Sequence, residues 1–204
     1  MNDRPRTGTV TRNTKETRIS VRLALDGRGE TRISTGVGFF DHMLDAFARH
    51  GRFDLDVTAE GDLHIDAHHT IEDVGIALGQ AFLQAIGDAA GIVRMGEATV
   101  PLDEALVQAV IDISGRPFAA IDLPFAGERI GAMPTEMVAH FLRSFATEAR
   151  ITLHLRLFVG ENDHHRAEAA SKALGRALDA ATRLDPRIAG VIPSTKGVLD
   201  RGAG

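Results

Sequence analysis

The amino-acid sequence predicts an α+β fold made by internal duplication, and three observations carry that prediction. The order strand, strand, strand, helix, strand, helix runs twice along the 204 residues. Apolar side chains in the two runs match at a nearly constant offset. A His-His-x-x-Glu motif stands at the start of the last helix in each run.

In the first run, Thr7 to Asn13, Glu16 to Leu25 and Glu30 to Thr35 read as a strand meander. Ile19, Val21, Leu23 and Leu25 alternate, and Asp26-Gly27 marks a turn. Phe40, Met43, Leu44 and Phe47 fall at helical spacing within Phe39 to His50, and Gly51 closes that helix. Phe53 to Glu60 alternates as a strand. A stripe of Ile71, Val74, Leu78, Phe82 and Ile86 marks a long helix within Asp66 to Ala90, ended by Gly91.

The second run repeats the order: strands at Glu97 to Val100, Leu106 to Ile113 and Pro117 to Leu123, a helix from Thr135 to Glu148, a strand from Ile151 to Phe158, and a long helix reaching Arg183. Leu44, Phe47, Ala48 and Leu55 match Leu142, Phe145, Ala146 and Leu153 at one offset. ALGQAF from Ala77 matches ALGRAL from Ala173 at an offset two residues shorter. Only the strands before Phe39 align poorly. The expected organisation is a first half over 1–91 and a second half over 92–204 with a C-terminal substrate-binding tail, the two together forming one enzyme domain.

Composition narrows the function. Hydrophobic residues at 44% and charged residues at 25% permit an ordinary core. With no Trp, no Tyr and a net charge of -5, the chain lacks both the stacking platforms and the basic surplus of a nucleic-acid binder. It has no Cys, so any metal must take nitrogen or oxygen donors. No stretch approaches the ~20 apolar residues of a membrane span, and MNDRPRTGTV lacks a secretory apolar segment. A cytoplasmic enzyme is expected, with no membrane partner.

Six of the nine His fall at repeat-related positions. His42 pairs with His140, the doublet His68-His69 pairs with His164-His165, and Glu72 pairs with Glu168. Residues four apart share a helix face, so His68 with Glu72, and His164 with Glu168, can each grip one ion. His69 and His165 are rotated by about 100° and face elsewhere. The two-fold relation of the halves allows one economical sorting: His42, His69, His164 and Glu168 on one metal, and His68, Glu72, His140 and His165 on the other. Three imidazoles and a carboxylate suit Mn, Fe or Zn, leaving positions open for substrate or water. A lone His at a helix start is more often a surface or capping group, and a first-turn Glu is favoured by the helix dipole alone; two copies of the motif argue against that reading. His154, inside ITLHLRL, reads as structural. The role of His64 stays open, and His50 stands at the edge of the site.

At these residues the chain resembles the imidazoleglycerol-phosphate dehydratase family. The resemblance runs through GFFDHMLDAFARHG from Gly38, DAHHTIEDVGIALGQA from Asp66, SGRP from Ser114, GENDHHRAEAASKALGRAL from Gly160 and PSTKG from Pro193. It implies two βββαβα-like halves of the ribosomal protein S5 domain 2-like kind, each a sheet with helices on one face. It further implies two manganese ions per active site and a homo-oligomer of 24 subunits with sites between them. The implied reaction eliminates water from D-erythro-imidazole-glycerol phosphate to give imidazole-acetol phosphate in L-histidine biosynthesis, the metals acting as Lewis acids and as a template.

The same resemblance implies roles by position. Glu16 is the catalytic acid and base. His42, His50, His68, Glu72, His164 and Glu168 contact substrate alongside it, and Arg94, Arg116, Ser194, Thr195 and Lys196 bind it, fixed positive charge and donors being what a phosphate requires. Two departures stand out: Arg94 lies in VRMGEA where NRFG is expected, and Ser171 stands where relatives often carry Phe. Two rival readings remain at this point, a dinuclear-metal hydrolase and a metal-assembled structural shell.

Overall fold

A computed structural model describes residues 6–199. Strand β1 (Thr7–Asn13) pairs antiparallel with β2 (Thr17–Ala24), and β2 pairs antiparallel with β4 (Asp54–Gly61). Strict alternation decides which face is which: Ile19, Val21, Leu23, Leu55 and Val57 are buried, while Arg18, Arg22, Asp56 and Glu60 line the outer face. The outer ion pairs, such as Arg22–Asp56 at 3.6 Å, are exposed, and pairs of that kind add at most about 1 kcal/mol each.

The short strand β3 (Thr31–Ser34) does not continue a meander. It lies beside β4 and runs parallel to it, giving the order β1-β2-β4-β3. Helix α1 (Gly38–Gly51) is the reason: a parallel neighbour can be reached only by a crossover, and α1 carries the chain from the end of β3 back to the start of β4. Helix α2 (His68–Ile86) then packs on β1 and β2.

The second half repeats this plan. Strands β5 (Met95–Leu102), β6 (Ala105–Asp112), β7 (Phe118–Asp122) and β10 (Thr152–Val159) form a sheet of order β5-β6-β10-β7, with β7 again the parallel strand. Helix α3 (Glu136–Glu148) occupies the place of α1, and α4 (Asp163–Thr182) that of α2. The strands that align poorly by residue identity therefore correspond in topology. A short hairpin, β8 (Arg129–Ile130) with β9 (Met133–Pro134), is an addition that has no counterpart among the described residues of the first half and no periodic signal in the sequence. The repeat extends to the helix stops. Arg52 after α1 and Arg150 after α3 are both left-handed, at φ 58 and φ 53, and each returns its N–H to the preceding turn.

Each sheet carries its helices on one face, and the two helical faces meet: α1 packs on α4, and α2 on α3. Phe40, Phe53, Phe82 and Phe145 are fully buried, each such side chain contributing roughly 1.5–3 kcal/mol. Phe145 is the hub, with Phe47, Phe82 and Phe141 around it at ring-centroid distances of 6.0–6.4 Å. The matched glycines of the two ALG segments explain how closely the helices cross. A Cβ on Gly79 would lie 2.7 Å from the Phe145 carbonyl oxygen, and one on Gly175 would lie 2.3 Å from that of Phe47. Phe47 and Phe145 are themselves repeat mates, so the same contact is made twice between opposite halves. No helix among the described residues is long and apolar enough to cross a membrane.

Candidate metal centre

The two crossings bring the histidines together. Helix α2 opens at His68, whose backbone N–H donates to Asp66 Oδ1 at 2.7 Å. Helix α4 opens under an Asn162 cap that accepts from the N–H groups of His164 and His165 at 2.9 and 3.2 Å. These caps hold both doublets in a first helical turn, where the i,i+4 spacing puts His164 Nε2 3.1 Å from Glu168 Oε2.

Across the α1–α4 crossing, His42 Nε2 lies 3.1 Å from the same Glu168 oxygen. Across the α2–α3 crossing, His140 Nε2 lies 3.1 Å from Glu72 Oε1, and the ring of His68 stands 4.7 Å from that of His140. Within each trio, one ligand atom per residue can be chosen so that all lie within 4.8 Å of one another. Donors bound at right angles at about 2.1–2.2 Å are about 3 Å apart, so the observed spacings fit a small divalent cation in each trio. Phe39 walls the first trio, edge-on to His164 at 5.1 Å.

The two carboxylates differ in surroundings. Lys172, four residues past Glu168, places Nζ 2.7 Å from Glu168 Oε1, and both side chains are about 15–16% exposed. Burial alone would raise the Glu168 pKa; the Lys172 ammonium and His42 outweigh it and bring the carboxyl down to about 2. Glu72 is 36% exposed and makes no lysine ion pair among the described residues. His50 stands beside Lys172 and Arg176, and desolvation together with those cations depresses its pKa.

His69 and His165 join neither trio. His69 Nδ1 donates to Asp62 Oδ2 at 2.9 Å, with Glu16 Oε2 3.8 Å from its Nε2. His165 Nδ1 donates to Glu104 Oε2 at 2.7 Å, with Asp103 Oδ2 3.8 Å from its Nε2. The hydrogen bonds donated to those carboxylates raise the pKa of both imidazoles. Glu16 is half-exposed on the β1–β2 turn, where its N–H donates to Thr14 Oγ1. Beneath the turn, buried Asp73 accepts from the Thr17 hydroxyl and from Arg12 Nε.

A family model described as imidazoleglycerol-phosphate dehydratase matches residues 35–178, which span both trios. The chain belongs to the imidazoleglycerol-phosphate dehydratase family. A curated member from Gluconacetobacter diazotrophicus is 61% identical over 197 residues, covering 97% of this chain and all of the relative. The crystal structure of the imidazoleglycerol-phosphate dehydratase of Staphylococcus aureus superposes with a TM-score of 0.80 at 37% identity, covering 88% of this chain and 99% of that one. The Pyrococcus furiosus family member, solved in complex with (S)-C348, gives the same score and identity over 93% of this chain and 100% of that one.

Among the remaining dehydratase-family positions, Arg116 is exposed, and its guanidinium makes no hydrogen bond or ion pair among the described residues. Arg94 is engaged: Nε and Nη2 bind Asp112 at 2.7 and 3.1 Å, and Nη1 donates to the Pro193 carbonyl at 2.7 Å. It thus fastens the segment bearing Ser194, Thr195 and Lys196 to the end of β6. There Ser194 Oγ accepts the Lys196 N–H, and the Gly197 N–H returns to the Ser194 carbonyl. His154 lies on the outer face of the second sheet, 5.7 Å from the Phe118 ring and away from both trios, while His64 is exposed in the loop before α2. Ser171 packs beside Met43 in a small apolar cavity between α1, α3 and α4.

Sequence reasoning missed Lys172, although its i,i+4 spacing from Glu168 was a usable signal. It also missed Asp62 and Glu104, for which local sequence offers none.

Proposed function

We propose that this chain dehydrates D-erythro-imidazole-glycerol phosphate to imidazole-acetol phosphate, a step of L-histidine biosynthesis, as a manganese-dependent hydro-lyase of the cytoplasm. One observation supports this reading above the others: two separate His and Glu trios, each spaced for a single cation, in a chain of this family. Among the described residues the trios share no carboxylate. Dinuclear hydrolases typically hold their ions about 3.5–4 Å apart, so trios without a shared carboxylate favour the dehydratase reading over the hydrolase.

In this reading His42, His164 and Glu168 hold one manganese ion, and His68, Glu72 and His140 hold the other. His69 and His165 stand outside the trios of their own chain, so they complete the first and second sets from neighbouring copies in a homo-oligomer of 24 subunits. The two halves, 1–91 and 92–204, act as one enzyme domain because each trio draws on both. When bound, the two ions supply Lewis acidity toward the ring nitrogens and a template for the substrate.

The protein supplies the rest. Arg116, Ser194, Thr195 and Lys196 hold the phosphate, and Arg94 keeps their segment in place. His50, depressed in pKa, offers the substrate a neutral hydrogen-bonding edge. The hydroxyl on the carbon beside the ring leaves, and Glu16 takes the proton from the next carbon. That proton returns to the carbon beside the ring as the enol becomes the ketone, and the proton given up by the enol hydroxyl joins the departed hydroxide, so the net change is the loss of one water. Glu16 travels with His69 on the same surface, and so enters whichever site His69 completes.

The test is direct. Manganese-loaded protein incubated with imidazole-glycerol phosphate should yield the ketone, and release of inorganic phosphate in its place would overturn the reading. Glu16→Gln should lower kcat by about 10²–10⁴ with manganese content unchanged.

A further inference from the structure

His69 and His165 share one arrangement reached by two routes. Asp62 follows the C-terminal end of β4, an inner strand of the first sheet, whereas Glu104 sits in the β5–β6 turn of the second. These positions are not repeat mates, yet each carboxylate meets the Nδ1 of its histidine, at 2.9 and 2.7 Å. Duplication does not account for that agreement, because it would have copied one position and not two different ones.

Glu104 is fixed before it meets the ring, and Asp62 is confined by burial. Glu104 Oε1 accepts the N–H groups of Glu161 and Asn162 at 3.1 and 2.8 Å, which leaves Oε2 for His165. The Asp62 side chain is only 12% exposed, and its second oxygen is buried without a partner. An ionised carboxylate only accepts hydrogen bonds, so the hydrogen of each imidazole is on Nδ1. A neutral ring carries one such hydrogen, and Nε2 is left with a free lone pair. The nearest acidic oxygens to the two Nε2 atoms, those of Glu16 and Asp103, stand at 3.8 Å, beyond hydrogen-bonding reach.

We propose that Asp62 and Glu104 are positioning residues that fix the tautomer and ring orientation of His69 and His165, so that each Nε2 is presented as a ready donor to manganese. The inference rests on the metal roles of His69 and His165 proposed above. Metal-bound histidines commonly give their second N–H to a carboxylate, and loss of that partner costs about 10–100-fold in metal affinity.

The experiment compares Asp62→Ala, Asp62→Asn, Glu104→Ala and Glu104→Gln with the parent protein. Manganese affinity is read by competition with a chelator, and imidazole tautomers by nitrogen NMR on the metal-free protein. The alanine variants should bind manganese about 10–100-fold more weakly and lose the Nδ1–H signature at His69 or His165. The amide variants should recover part of both, since an amide oxygen accepts the same hydrogen. Alanine variants that melt earlier yet keep parental manganese affinity and tautomer would overturn the proposal and leave the carboxylates a structural role. If an alanine variant fails to fold, its amide counterpart decides by the same two readouts. If the parent protein binds no manganese, the metal reading fails, and the proposal fails with it even where the tautomers are as expected.

Discussion

The two helix crossings make the same trio in two electrostatic settings. At the α1–α4 crossing Glu168 is shielded and paired with Lys172; at the α2–α3 crossing Glu72 is more exposed, and the position equivalent to Lys172 is Ile76. Duplication copied the donors and the geometry but not the charge around them. One set therefore offers a cation a carboxylate already paired with an ammonium, and the other offers a carboxylate that contacts an imidazole.

The largest expected effect comes from removing a donor on either side. His164→Ala and His68→Ala should each cut turnover by about 10³-fold or more, because each ion contributes several kcal/mol. Elemental analysis should then find about one manganese lost per chain in each variant. Equal and complete loss of both ions from a single substitution would mean that the trios are not separate sites.

Next is the crossing itself. Gly175→Ala and Gly79→Ala add a methyl 2.3 and 2.7 Å from a facing carbonyl oxygen. The helix-propensity gain of roughly 1 kcal/mol is outweighed by overpacking, and a net loss of about 1–3 kcal/mol is expected in urea unfolding, larger for Gly175. Gly175→Ala should weaken manganese at the His42 trio selectively, because only that trio spans α1 and α4.

A smaller effect sharpens the electrostatic contrast. Two-step manganese titration should show the Glu72 set filling first. Lys172→Met should bring the Glu168 set closer by roughly tenfold, by removing a positive charge a few ångströms away. An unchanged gap would assign the difference to geometry.

The smallest effect is on acid stability. Glu104 is held down at about 2 by the Asn162 N–H and by His165. A depressed carboxyl favours folding above its ordinary value of 4.5, and that contribution disappears as pH falls toward about 2. Glu104→Gln should therefore flatten the stability-against-pH curve between those values and lower stability above pH 6, where the contribution of the ionised carboxyl is fully present, as monitored by helix circular dichroism.

Much of this architecture was legible in the chain. Alternation in β2 and β4 and the stripes of α1 to α4 are local patterns, and most of those elements lie within two or three residues of where periodicity puts them. The β8–β9 hairpin escaped because two-residue strands have no period. The meander reading failed at β3, because whether a strand turns back or crosses over depends on where the following helix packs, which is not a local property. In the site, His164 with Glu168 and His68 with Glu72 follow from helix geometry alone, and Lys172 obeys the same rule.

The sequence by itself determined that the protein is duplicated, that it carries two copies of one donor set without thiols, and that each long helix presents a His and a Glu on one face. Tertiary structure decided the rest. It pairs each short helix with the long helix of the opposite half, through a glycine pressed on a carbonyl, and so brings His42 to Glu168 and His140 to Glu72. It also leaves His69 and His165 outside both trios and ties each to a carboxylate on another element, Asp62 seven residues away and Glu104 sixty-one. The physical reason is that contacts within one helix are fixed by its rise and twist, whereas contacts between helices depend on how closely and at what angle two packed surfaces can meet.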